Sequence, residues 1–291
     1  MPITSKFICL NGHFLKEEDL SFTASNRAFR YGDGFFETMH YANGEIQLFD
    51  LHQARLKKAM NLLKLESSVL QLPHIIHKEI VRLNNANHFF KGARVRISIF
   101  RSEGGLYLPL SNKANYLIES WPLENDRYLI NSNGFKLGAY KQISKPSGQT
   151  FFYKSLNSQV SILASLYAQE NNLDNCFIIN DKREIIESIN SNVFFIQNKT
   201  IYTPNNDSGC IYGIMREKIL TVISQLGFTI NNHTPVKEED ISQFDEIFLS
   251  NAIQGIQWVG AYKTKRFDSK ITKQIQKALI QEIFKHSKQA V

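Results

Sequence analysis

Apolar and polar positions alternate with a period of two at the start of the chain. Phe7 to Leu10 and His13 to Leu15 flank Asn11-Gly12, which predicts a hairpin closed by a type I′ turn. A second hairpin follows, with Phe35 to Tyr41 and Ile46 to Phe49 about Asn43-Gly44. The period then changes. Leu51, Ala54, Leu56, Met60, Leu62 and Leu63 fall mostly at helical spacing, so Leu51 to Leu65 is predicted as a helix with Asp50 as its cap. Another helix is predicted from Pro73 to about Asn85, with proline at its first position. Arg94 to Phe100 and Asn115 to Glu119 read as strands, with a turn at Gly104-Gly105 between them.

Ser120 to Asp126 is polar and contains Pro122, which marks a linker. Beyond it the pattern predicts strands near Phe135 to Ala139, Cys176 to Ile179, Val193 to Ile196, Ile201-Tyr202 and Glu246 to Ser250. Helices are predicted from Ser155 to about Asn171, Gly213 to Leu226 and Ser269 to Lys285. Strands and helices in mixed order define an α+β chain of two domains, each wrapped around a β-sheet: 1-120, a linker at 121-128, and 129-291.

Composition narrows the picture. In 291 residues, 43% hydrophobic and 21% charged positions allow a packed core. No apolar run reaches membrane-spanning length, and the start, Met1 to Lys6, lacks a signal peptide's apolar stretch, so a cytoplasmic protein without membrane contact is expected. The net charge of +7 is spread along the chain, which fits anionic small-molecule ligands better than nucleic acid. Cys9, Cys176 and Cys210 match no zinc or redox spacing and read as buried thiols. His74 and His77 share a helical face without a third ligand in the sequence pattern, so no metal is expected.

The chemistry rests on Lys154 and Glu187. Lys154 sits in Tyr153-Lys154-Ser155-Leu156-Asn157, at the predicted start of a helix, with Phe151-Phe152 before it. Such flanks suggest burial, and a buried lysine amine is the neutral nucleophile that attacks an aldehyde. Glu187 lies at the edge of a predicted strand, followed by Asn192. A Schiff-base lysine and a carboxylate for a pyridine nitrogen are the two protein groups that pyridoxal phosphate (PLP) chemistry most needs. Lys145, before a proline in a Ser/Gly loop, is the rival lysine.

Asn26-Arg27-Ala28-Phe29-Arg30-Tyr31-Gly32-Asp33-Gly34-Phe35-Phe36-Glu37-Thr38 resembles the N-terminal signature of the fold-type IV PLP enzymes: branched-chain aminotransferases, D-amino-acid aminotransferases and 4-amino-4-deoxychorismate lyases. The resemblance continues through Arg55, the Lys154 segment, Glu187 to Phe194, Gly213 to Arg216 and Ser250 to Ile253, nearly the whole chain in the family's order. It implies a D-amino-acid aminotransferase-like fold, a homodimer, and a PLP site. In that site Lys154 bonds the cofactor, Glu187 and Asn192 serve its ring side, and Arg55 binds its phosphate. Backbone N–H groups of Gly213, Ile214 and Met215, and of Asn251, Ala252 and Ile253, would complete the anion site.

Against that pattern, Met215 and Ala252 stand where the transaminases commonly carry hydroxyl residues, as in the lyases. Phe36 replaces a tyrosine near the substrate carboxylate in D-amino-acid aminotransferases. Arg96 and Arg101 flank a strand that faces the pocket in relatives; their odd spacing forbids both from pointing inward, and Arg101, beside Gly104-Gly105, is the expected substrate-anion group. The leading expectation is therefore a lyase of folate biosynthesis that converts 4-amino-4-deoxychorismate to 4-aminobenzoate and pyruvate. An aminotransferase on branched-chain or related amino acids stays open beside it, as does a binding protein that kept the fold without the chemistry.

Overall fold

The computed structural model describes residues 7–148 and 153–284. The expected flank Phe151-Phe152, the first six residues and the predicted helix end at Lys285 lie outside them. The chain divides into two compact units, one running to Arg127 and including Tyr153–Asn157, the other from Tyr128 and resuming at Ser158.

The first unit contains β1 (Phe7–Leu10), β2 (His13–Lys16), α1 (Arg27–Tyr31), β3 (Gly34–Ala42), β4 (Glu45–Ile46), α2 (Phe49–Leu63), α3 (Pro73–Ala86), β5 (Gly92–Arg101) and β6 (Ala114–Pro122). Its antiparallel sheet runs β2-β1-β6-β5-β3-β4. Both predicted hairpin turns are present, with positive φ at Asn11 (50°) and Gly12 (85°) and at Asn43 (53°) and Gly44 (84°), as a type I′ turn requires. α2 starts earlier than its periodicity suggests. Leu48, left-handed at φ 56°, swings the chain from β4 directly into the helix, and Asp50 sits in the first turn rather than at the cap. There its charge still suits the helix dipole.

The β3–β5 register sets two faces. Phe36 opposes Ser98 and Thr38 opposes Arg96 on one; Phe35 opposes Ile99 and Glu37 opposes Ile97 on the other, which by alternation is also the face of Arg101. Trp121 and Pro122 complete β6, so the expected linker contributes its first residues to the sheet.

The second unit contains β7 (Phe135–Lys145), α4 (Gln159–Glu170), β8 (Asn175–Asn180), β9 (Ile185–Ser188), β10 (Asn192–Gln197), β11 (Thr200–Tyr202), α5 (Ile214–Gln225), β12 (Thr229–Asn231), β13 (Glu246–Asn251), β14 (Gly255–Tyr262), β15 (Lys265–Arg266) and α6 (Lys270–Ile283). Its mixed sheet runs β12-β11-β10-β13-β14-β7-β8-β9, with β15 on β14. Leu137, Phe177, Val193, Phe195, Ile247, Leu249 and Val259 fill the core on one face of it. The helix predicted from Ser155 begins instead at Gln159. Residues 154–156 are taken by strand-like pairing in the first unit: Phe36 donates its N–H to the Lys154 carbonyl (2.8 Å) and Leu156 donates to that of Gly34 (3.2 Å). Tertiary pairing overrides helical propensity there. Among the described residues no helix is long and apolar enough to cross a membrane.

Candidate active site

The pairing that denies Lys154 a helix is what positions it. Its backbone is hydrogen-bonded to β3, and its Nζ reaches 5.6 Å from the centroid of the Phe36 ring. Gly34 permits this approach, because a Cβ there would collide with the Ile99 carbonyl and press on the Leu156 side chain. The same ring carries a second cation: Arg96 Cζ lies 3.7 Å from its centroid, a cation–π contact. Burial pulls Arg96 below the usual arginine range, with Glu119 opposing that shift. Arg96 Nε donates to Ser98 Oγ at 3.0 Å, which fixes the guanidinium on the Phe36 face.

The opposite face of β3 holds a buried charged cluster. Glu37 is 1% exposed. Its Oε1 accepts from Arg55 Nε and its Oε2 from Arg55 Nη2, both at 2.7 Å, and Oε2 also meets His52 Nδ1 at 2.7 Å. Burial alone would push the Glu37 carboxyl up; Arg55 and His52 outweigh it and hold it at about 2. An ionised carboxylate only accepts, so His52 Nδ1 carries the hydrogen. Burial lowers His52 in turn, against the pull of Glu37. His52 and Arg55 stand three apart on the buried face of α2, a spacing visible in the sequence, but the sequence does not reveal their partner on β3. Arg55 therefore carries a charge already balanced by Glu37, so toward a phosphate it offers directed donors more than net charge.

This arrangement has a consequence for stability. Arg55→Ala should destabilise the cofactor-free protein by about 3–5 kcal/mol, because it strands a buried carboxylate. The paired change Glu37→Gln with Arg55→Met should recover most of that loss. Urea denaturation of the cofactor-free forms checks this; an Arg55→Ala protein as stable as wild type would remove the pair from the stability account. The pair's contribution is present above the ordinary glutamate range and is lost as pH falls towards 2.

Arg101, expected to meet a substrate anion, is engaged within the first unit. It lies on the helix-covered face, where Nε pairs with Asp33 Oδ2 (3.0 Å), Nη2 donates to the Leu63 carbonyl (2.7 Å) and Nη1 donates to Asn112 Oδ1 (2.7 Å). A cation beside the last carbonyls of α2 satisfies groups the helix leaves open. Arg27 reinforces the same corner, pairing with Asp33 at 2.7 Å and donating to the Gly104 and Leu106 carbonyls. The register puts the two arginines on opposite faces, with Arg96 on the face of Phe36.

In the second unit the expected cofactor residues converge through one backbone unit. Ile211 donates its N–H to Glu187 Oε2 (3.0 Å), and its carbonyl accepts from Asn192 Nδ2 (2.8 Å). Asn192 in turn packs so closely on Gly213 that a Cβ at 213 would overlap its Oδ1. Gly213 caps α5, and no side chain closes that helix's first turn, whose opening residues Ile214 and Met215 are buried. Ser250 pairs with Asn192 across β10 and β13. Its buried Oγ has no hydrogen-bond partner among the described residues. An open helix start beside a buried, unpartnered hydroxyl fits a phosphate. The Asn251 turn fits less well: Asn251 Oδ1 takes the N–H groups of Ile253 (3.0 Å) and Gln254 (2.8 Å), so the Ile253 donor expected at the phosphate is turned inward. Lys145, the rival lysine, joins this cluster, with Nζ 2.7 Å from Glu187 Oε1.

Residues 34–262 match the family model for amino-transferase class IV. The chain belongs to that family of PLP-dependent enzymes. It is 26% identical to aminodeoxychorismate lyase of Bacillus subtilis over 84% of this chain and 83% of that one. It is 25% identical to D-alanine aminotransferase of Listeria monocytogenes over the same shares. Its fold matches a branched-chain aminotransferase from Thermoproteus uzoniensis with a TM-score of 0.85 at 21% identity, covering 97% of this chain and 95% of that one. Three activities among the relatives leave the reaction to the site residues.

Proposed function

We propose that the protein is a PLP-dependent lyase that converts 4-amino-4-deoxychorismate to 4-aminobenzoate and pyruvate. The observation that carries this reading is the sharing of the Phe36 ring by the Lys154 amine and the Arg96 guanidinium. The substrate bears an amine for exchange with Lys154 and two carboxylates, one of which Arg96 would hold. Met215 and Ala252 support the same reading, since neither offers the hydroxyl that the resembling transaminases carry there. Phe36 likewise lacks the tyrosine hydroxyl of the D-amino-acid branch, which argues against that specificity.

When bound, PLP supplies an electron sink for the pair left on carbon after proton loss. Lys154 would hold the cofactor and would carry the proton removed from the substrate's amine-bearing ring carbon. The enolpyruvyl group would leave as its enolate and gain one proton on carbon to become pyruvate. Glu187 holds the pyridine nitrogen's proton. In the second unit the first turn of α5 and the Ser250 hydroxyl would hold the phosphate; Arg55 is the side-chain donor that the resemblance assigns to it.

The same cofactor residues would serve an aminotransferase, so the test lies with substrates. Holoenzyme given a panel of L- and D-amino acids with 2-oxoglutarate should form glutamate far more slowly than it consumes aminodeoxychorismate. Fast transfer from L-leucine would move the protein to the branched-chain aminotransferases.

A further inference from the structure

Lys145 makes a contact that a solvated surface lysine does not make. It ends β7, where the ladder to β8 slips between Tyr140 and Lys145 and resumes at Asn180. That slip turns the side chain onto β9. There it is 17% exposed, and its Nζ sits 2.7 Å from Oε1 of Glu187, which is 4% exposed as a residue. Oε2 of the same carboxylate is held by the Ile211 N–H. A carboxylate this buried needs a cation, because desolvation of an unpaired ion outweighs most of what surrounds it.

We infer that Lys145 is the resident counter-ion of Glu187 and that cofactor binding is an exchange of cations on that carboxylate. The inference rests on the reading that Glu187 receives the cofactor's pyridine nitrogen. Before PLP arrives, the Lys145 ammonium and the Ile211 N–H hold Glu187 as a placed anion. The protonated ring nitrogen then brings a second positive charge to the same group. Oε2 already accepts from the Ile211 N–H, so the pyridinium would compete with the ammonium for Oε1. Lys145 is thus a positioning residue: it acts on the cofactor only through Glu187.

The exchange has a signature that a merely structural ion pair lacks. Lys145→Met removes the counter-ion from the cofactor-free protein but not from the loaded one, where the pyridinium takes its place. The cofactor-free melting temperature should fall by roughly 5–10 °C for a chain of this size. The loaded protein should lose much less. Because the empty state carries most of the penalty, PLP should bind the variant about tenfold more tightly than wild type, or tighter still. Lys145→Arg should match wild type in both states. Adding Glu187→Gln to Lys145→Met should restore most of the cofactor-free melting temperature.

Thermal melts of each form with and without PLP, and titration of cofactor-free protein with PLP followed by absorbance, read all of these. Equal losses in the empty and loaded forms, or PLP binding by Lys145→Met no tighter than by wild type, would show a plain structural pair and overturn the exchange. Failure of the underlying reading looks different: Glu187→Gln alone would then leave both the PLP dissociation constant and the spectrum of the bound cofactor unchanged.

Discussion

Lys154→Ala should abolish turnover, to below about one thousandth of wild type, while the protein keeps its fold. The size of the loss follows from the two tasks given to one amine, covalent attachment of the cofactor and proton transfer, the second alone being worth on the order of 10²–10⁴-fold. The fold survives because the segment's pairing with β3 is made by backbone: the Lys154 carbonyl accepts from Phe36 and the Leu156 N–H donates to Gly34. Alanine keeps both bonds. The measurement is kcat against a circular-dichroism melt. Activity above a few hundredths of wild type in a folded variant would remove Lys154 from the chemistry; loss of activity together with loss of the melt would leave a role in folding.

Glu187→Gln should retain PLP and slow the reaction by on the order of 10²–10³-fold, the scale seen when one preorganised electrostatic partner is removed from a reacting centre. An amide keeps the acceptor oxygen and much of the shape, so the Ile211 and Lys145 contacts have something to hold. It cannot keep a pyridine nitrogen protonated, and an unprotonated ring is a weak electron sink. The decline should appear in kcat, with the PLP content of the purified protein near one per chain. A variant running at the wild-type rate would assign the carboxylate another task.

These residues were legible in the sequence to different degrees. The two Asn-Gly hairpins were readable because a type I′ turn demands φ > 0 at both positions and few dipeptides supply it. Lys154 stood out by its apolar flank and Glu187 by its place at the edge of a predicted strand. The local state of Lys154 was not readable: a helix was expected, and a strand partner far away in sequence, at β3, took the segment. β14 escaped because Gly255–Tyr262 carries Gly260 within it and Gln257 and Trp258 break its alternation. Arg101 was assigned from its place at a strand end, whereas its partners are the carbonyls that close α2, and only the register with β3 shows which face it takes. The pairing of Arg55 with Glu37, and of Lys145 with Glu187, likewise joins residues on separate elements, which spacing along the chain does not encode. Much of the Asn26–Thr38 signature proves architectural: Asn26 accepts from the Phe29 N–H at the start of α1, Gly32 ends that helix at φ 61°, and Asp33 ties Arg27 to Arg101.

The most direct measurement of the central claim is pyruvate release from 4-amino-4-deoxychorismate by wild-type holoenzyme with no keto acid present. A lyase needs no second half-reaction, because Lys154 recovers its bond to the cofactor as product leaves. The account predicts many equivalents of pyruvate per active site, matched one for one by 4-aminobenzoate. No pyruvate, with glutamate formed instead from L-leucine and 2-oxoglutarate, would contradict it.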